Sequence, residues 1–191
     1  MYKLDIKTIK SNFILDIAIK NSIGSAITLR KQFFSKESSA EMREEFRRFL
    51  GDETIKIASK YKNQQTEQQC IIDMKKLMDS VNKQFQNKGL FQNKYGFTLG
   101  QSQKVLTVYL KYLWCLDRIP LPPRAPLDGI MLRISEAPYN MRTWGDILDI
   151  NEYEEKYCYL VKKAKLNNIP VPVYELLGFH EENRLKNHDK N

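Results

Sequence analysis

The stretch that most limits the fold is TEQQCIIDMKKLMDSVNKQFQNKG, residues 66–89. Its Cys70, Ile71, Met74, Leu77, Met78, Val81 and Phe85 recur at steps of three and four. That spacing gathers them on one face of an α-helix and predicts a core-facing helix ending at Gly89. The same period returns in residues 101–117, the most apolar segment, with Val105, Leu106, Val108, Tyr109, Tyr112, Leu113 and Leu116. It returns again in EYEEKYCYLVKKAKLNN, through Tyr153, Tyr157, Leu160 and Ala164, and more weakly in VYELLGFHEENRLKN. SSAEMREEFRRFLGD opens on a Ser N-cap, places acids in the first turn and arginines later, and predicts a stop at Gly51. SNFILDIAIK and SAITLRKQFF are rich in β-branched residues and read equally as helix or strand. The polar tail, residues 182–191, is expected to fray. The expectation is an all-α chain with short connections, one domain over residues 1–191, and an N-terminal segment of either kind.

The 42% apolar content is enough for a real core, and no apolar run reaches the 18 or so residues of a membrane span. Charges punctuate the first 20 residues, which argues against a signal peptide and for a cytoplasmic protein without a membrane partner. Cys70, Cys115 and Cys158 are odd in number and lack CxxC spacing, so no metal or iron–sulfur site is expected; Cys70 and Cys158 read as buried thiols. Thirty-one Lys and Arg against 23 Asp and Glu leave +8, which favours an anionic partner, nucleic acid first.

The segment LGQSQKVLTVYLKYLWCLDRIPLPPRAPLDGIML then stands out. Gly100 permits a positive φ angle, and Gln101, Ser102 and Gln103 would present backbone amides to a phosphate at the start of the apolar helix. Ordinary helix capping explains the same residues. Pro120, Pro122, Pro123 and Pro126 then break the helix ladder. Asp128 follows 24 residues after Lys104, between Pro126 and Gly129, at the N-terminus of a new helix where it can also serve as a cap.

Together these pieces resemble the helix-hairpin-helix DNA glycosylase superfamily over residues 96–134. Its hairpin reads roughly Leu-x-Gly-hydrophobic-Gly-x-Lys and its following loop ends Pro-hydrophobic-Asp; LGQSQK and PLD stand in those places. Gly100 matches the first hairpin glycine, Lys104 the catalytic lysine and Asp128 the catalytic aspartate, while Ser102 replaces the second glycine and Gln101 an apolar residue. Without a cysteine cluster the chain looks more like the 8-oxoguanine DNA glycosylase branch than the iron–sulfur branch.

The resemblance implies a monomeric enzyme on double-stranded DNA with an extruded base, needing no cofactor beyond a monovalent cation at the hairpin. Lys104 would attack the sugar C1′ and form a Schiff base, giving AP-lyase activity, and Asp128 would stabilise the sugar cation and orient or deprotonate the amine. Lys111, seven residues on, is the rival amine. Gly100, Gln101, Ser102 and Gln103, with Arg124 and Arg133, would hold DNA phosphates; Arg118 and Arg142 are further candidates. Tyr139, Trp144, Phe179 and His180 would line the base pocket or stack. An oxidised purine is the first expected substrate, and a modified base of the kind found in viral DNA the second. The rival readings are a non-catalytic helix-hairpin-helix DNA-binding module and a helical protein-interaction domain.

Overall fold

The computed structural model describes residues 5–27 and 33–188, with side chains described as far as residue 182. The described residues form seven α-helices: α1 (Ile6–Ala26), α2 (Ala40–Ala58), α3 (Glu67–Phe85), α4 (Leu99–Cys115), α5 (Gly129–Ile134), α6 (Ile150–Leu166) and α7 (Val171–His188). Their only extended pairing is the isolated antiparallel bridge Phe34–Phe91. The all-α expectation therefore holds. No described helix is long and apolar enough to cross a membrane.

Local chemistry explains most boundaries. Ser39 and Thr66 cap α2 and α3 by accepting the amides of Met42 and Gln69 at 3.1 and 3.0 Å. After α3 a single 3₁₀ turn leads into Gly89, whose φ of 69° is the left-handed stop that the sequence pointed to. The segment 11–20 resolves as helix. Ala18, Ile19, Ser22, Ile23 and Ala26 of α1 are buried, and their helical period outweighs the β-branched preference. Residues 28–32 of SAITLRKQFF lie outside the described residues.

Three expectations need correction. Helix α2 does not stop at Gly51. It runs to Ala58, because burying Thr54, Ile57 and Ala58 outweighs the roughly 1 kcal/mol cost of one internal glycine. The helix does not end at the expected tail boundary: α7 is assigned to His188, and Glu182 receives Arg133 at 2.6 Å. Cys158 is only half-buried, its thiol donating to the Glu155 carbonyl, whereas Cys70 is fully buried and burial pushes its thiol up to about 12.

Helix α4 organises the whole, packing against α1, α2, α3 and α6. On one flank lies a knot of rings in which Phe46 meets Phe33, Phe34, Phe85, Phe91 and Phe97, mostly edge-on, with centroids 5.4–6.0 Å apart. On the other flank α5, α6 and α7 pack on one another, closely enough that a Cβ on Gly178 of α7 would overlap Ile134 of α5.

Candidate functional site

The site begins with the first turn of α4. Thr98 is its N-cap, and a reciprocal box joins the two residues that set the turn. The Gln101 amide donates to Thr98 Oγ1 at 3.2 Å, and the Thr98 amide donates to Gln101 Oε1 at 3.0 Å. Thr98 Oγ1 donates in turn to the Gly145 carbonyl at 2.6 Å, and the Gly100 amide donates to the Ile147 carbonyl at 3.0 Å. The loop 143–149 is thereby fastened across the helix start. Gly100 is helical, and its lack of a side chain matters because a Cβ there would overlap the Trp144 carbonyl oxygen. The positive φ in this region belongs to Gly96, at 74°.

In this arrangement the amides expected to cradle a phosphate have partners inside the fold. The amides of Gly100, Gln101 and Ser102 are already satisfied, the last by the Thr98 carbonyl at 3.0 Å, and Gln103 lies inside the helix. Ser102 is fully buried, its hydroxyl donating to the Met74 carbonyl of α3 at 2.5 Å. Gln103 is also fully buried, and its role is different from the one expected. Its Nε2 donates to the Leu127 carbonyl at 2.7 Å while its Oε1 accepts the Leu127 amide at 3.1 Å. One side chain thus clamps the peptide groups immediately before Asp128.

That clamp, with the Ala125 amide donating to the Tyr157 hydroxyl at 2.9 Å, delivers the end of the proline loop to α4. Asp128 divides its two oxygens. Oδ1 caps α5 by accepting the Met131 amide at 2.8 Å, and Oδ2 accepts from Lys104 Nζ at 2.6 Å. One carboxylate thus both caps α5, as the sequence allowed, and pairs with Lys104. Burial raises the cost of its charge, but the Lys104 ammonium and the Met131 amide outweigh that cost and hold the carboxyl below its ordinary value. Lys104 is itself buried, 7% exposed, with its Nζ 5.8 Å from the centre of the Trp144 ring.

Two turns along the same face of α4, Lys111 Nζ meets Glu175 Oε1 of α7 at 2.8 Å and lies 4.6 Å from the centre of the Phe179 ring. Sequence reasoning overlooked Glu175, although it precedes Phe179 by one helical turn and so shares its face. Glu175 is 2% exposed, and its Oε2 has no hydrogen-bond partner among the described residues. Burial drives its carboxyl above the ordinary value despite the opposing Lys111. Lys104 and Asp128 also act electrostatically on Glu175, and Lys111 on Asp128, so the two ion pairs form one four-charge seam.

The remaining candidates scatter. Arg124 is buried between Glu67 and Glu154, at 3.0 and 2.7 Å, with its guanidinium 4.5 Å from the Tyr157 ring centre. It ties the proline loop to α3 and α6, so the guanidinium expected to meet a phosphate is engaged within the fold. Arg133 is tied to Glu182, Arg118 donates to Ser11, and Arg142 donates to the Ala137 carbonyl at 2.9 Å. Tyr139 projects into solvent, 87% exposed, and His180 is exposed on α7 one residue beyond Phe179. Of the four proposed pocket residues, the described contacts bring Trp144 and Phe179 to the lysines. No family model matches the chain, and no curated protein or solved structure matches it either.

Proposed function

We propose that the protein is a DNA glycosylase with AP-lyase activity, in which Lys104 is the nucleophile and Asp128 its proton partner. The observation that carries this reading is the buried 2.6 Å contact between Lys104 Nζ and Asp128 Oδ2. Asp128 lies 24 positions after Lys104, and the Gln103 side chain clamps the loop that joins them. Buried ion pairs are a poor source of net stability, which makes a purely structural purpose for such an assembly expensive. The geometry suits a proton hand-over: Asp128 Oδ2 accepts the proton that Lys104 must shed before its lone pair can attack C1′ of an extruded nucleotide. As the Nζ–C1′ bond forms, the C1′–N bond breaks, and its electron pair leaves with the base, which takes up a proton. Opening of the C1′–O4′ bond, with O4′ taking up a proton, gives the protonated Schiff base; loss of a C2′ proton to a base then drives β-elimination, in which the 3′ C–O bond breaks and its electron pair leaves with the phosphate. Asp128 passes the proton it accepted to the departing base, returns to the carboxylate that its surroundings favour, and then opposes the positive charge that develops on the sugar.

Trp144 and Phe179 lie beside the two ammonium groups, and the buried Oε2 of Glu175, unpartnered among the described residues, is an acceptor for an N–H on a base that displaces its neighbours. An oxidised purine or another modified base fits such a set. The test is a panel of end-labelled duplexes carrying 8-oxoguanine, modified cytosines, an abasic site or no lesion. The expected result is cleavage of one modified duplex, with alkali adding little because the lyase step has already occurred. Intact strands in every duplex before alkali, and in every duplex that carries a base at the test position after alkali, would contradict the proposal.

A second reading, a helical protein-interaction domain, draws on another observation. Ile6, Ile9, Phe13 and Ile17 form a helical stripe on α1, between 41% and 64% exposed and opposite the face that α1 buries. Concentration-dependent sedimentation that Phe13→Glu abolishes would favour it.

A further inference from the structure

The groups expected to hold DNA phosphates are mostly spent inside the fold, so the DNA-binding surface must lie elsewhere if the glycosylase reading is right. Resting on that reading, we propose that the groove between α3 and the start of α6 holds the phosphodiester backbone of duplex DNA, with Lys76 and Lys83 as its phosphate contacts. The groove measures about 510 Å³ and is floored by the apolar Ile71, Ile72 and Ile150. Lys75, Lys76 and Lys83 line it against a single carboxylate, Asp79, which Lys75 already engages at 3.2 Å. Lys76 and Lys83 are exposed and have no carboxylate partner among the described residues. Seven residues apart on one helix, they stand about 10 Å apart along its axis. A row of mobile ammonium groups beside an apolar floor suits a polyanion held without sequence preference.

The groove also lies within reach of the Lys–Asp pair. Ile150 is the first residue of α6 and closes the loop 143–149, whose Trp144 ring lies over Lys104. Six residues separate Trp144 from Ile150, so even a fully extended chain keeps them within roughly 20 Å. That is about the width of a duplex, so the groove lies within one duplex width of the loop that carries Trp144. On the other wall, α3 is joined to α4 by the Ser102–Met74 hydrogen bond.

The test compares Lys76→Glu/Lys83→Glu with a control of equal charge change, Lys162→Glu/Lys165→Glu, about 20 Å along α6 from the groove. Binding of an unmodified duplex is followed by fluorescence anisotropy from low to moderate salt. The groove variant should bind at least about tenfold more weakly and lose about two from the log–log salt slope, while the control changes much less. Equal binding by the groove variant, or an equal loss in the control, would overturn the proposal. Borohydride capture of an abasic duplex at saturating protein separates the two claims. Capture by the wild type together with unchanged binding by the groove variant removes the groove and keeps the enzyme; selective loss of binding in the groove variant, with a wild type that never captures, keeps the groove and removes the Schiff-base lysine.

Discussion

Around Phe46 the interior is filled by rings packed edge to face, whereas along the other flank of α4 the same helix buries two lysines against two carboxylates. The first region lowers its free energy by removing apolar surface from water. The second places charges where water would stabilise them better, and recovers the loss only through short contacts and a buried amide clamp. A chain that does both in separate regions separates the part that holds the fold from the part free to do chemistry. That separation can be broken experimentally from either side.

The largest effect is expected in the charged seam. Asp128→Asn keeps an acceptor for the Met131 amide, because Asn caps helices as well as Asp does, but removes the charge facing Lys104. Single-turnover excision at saturating protein should fall by about 10²- to 10⁴-fold, the range of a lost acid–base group. An unchanged rate would leave Asp128 as a helix cap alone. From the other side, Phe46→Ala should cost about 3–5 kcal/mol in urea unfolding while leaving the rate per folded molecule unaltered. A loss of rate in proportion to stability would join what we have separated.

Two smaller effects sharpen the comparison. Arg124→Ala removes a buried guanidinium from two carboxylates and two tyrosine rings, so it should destabilise by about 2 kcal/mol without altering the salt slope of DNA binding. A slope reduced by about one would restore Arg124 as a phosphate contact. The smallest effect is in pH. Glu175 has a folded pKa above its ordinary 4.5, so acidification from neutral should first raise the melting temperature slightly as it takes up a proton. Asp128 has a folded pKa below its ordinary 3.8, so its contribution is present above that value and is lost as pH falls through the lower folded one. The melting temperature of the wild type should therefore pass through a shallow maximum in mild acid, and Glu175→Gln should flatten the rising side.

The helices of the ring-filled region were legible because apolar period is a local property; Met74, Leu77, Val81 and Phe85 announce their shared face within a dozen residues. Lys104 and Asp128 were legible only through the resemblance of the residues around them, since nothing local shows that a loop will return a carboxylate to a lysine. The first turn of α4 was misread for the same reason. Gly100 looked like a residue needing an unusual φ, and the true demand comes from the Trp144 carbonyl 44 residues later in the chain. Arg124 looked like a free cation because Glu67 and Glu154 meet it only after α3 and α6 have packed. Glu175 carried no signal beyond its position one turn before Phe179. The unpartnered oxygen that marks it out exists only in the folded molecule.

The central claim is that the amine of Lys104 forms a covalent bond with the sugar. Its most direct test is borohydride capture on an abasic-site duplex, read on a denaturing gel for the wild type, Lys104→Gln and Lys111→Gln. The account predicts a protein–DNA band in the wild type and in Lys111→Gln, and none in Lys104→Gln, with duplex binding by Lys104→Gln intact. Capture by Lys104→Gln equal to that of the wild type would contradict it and transfer the nucleophile to another amine, Lys111 first.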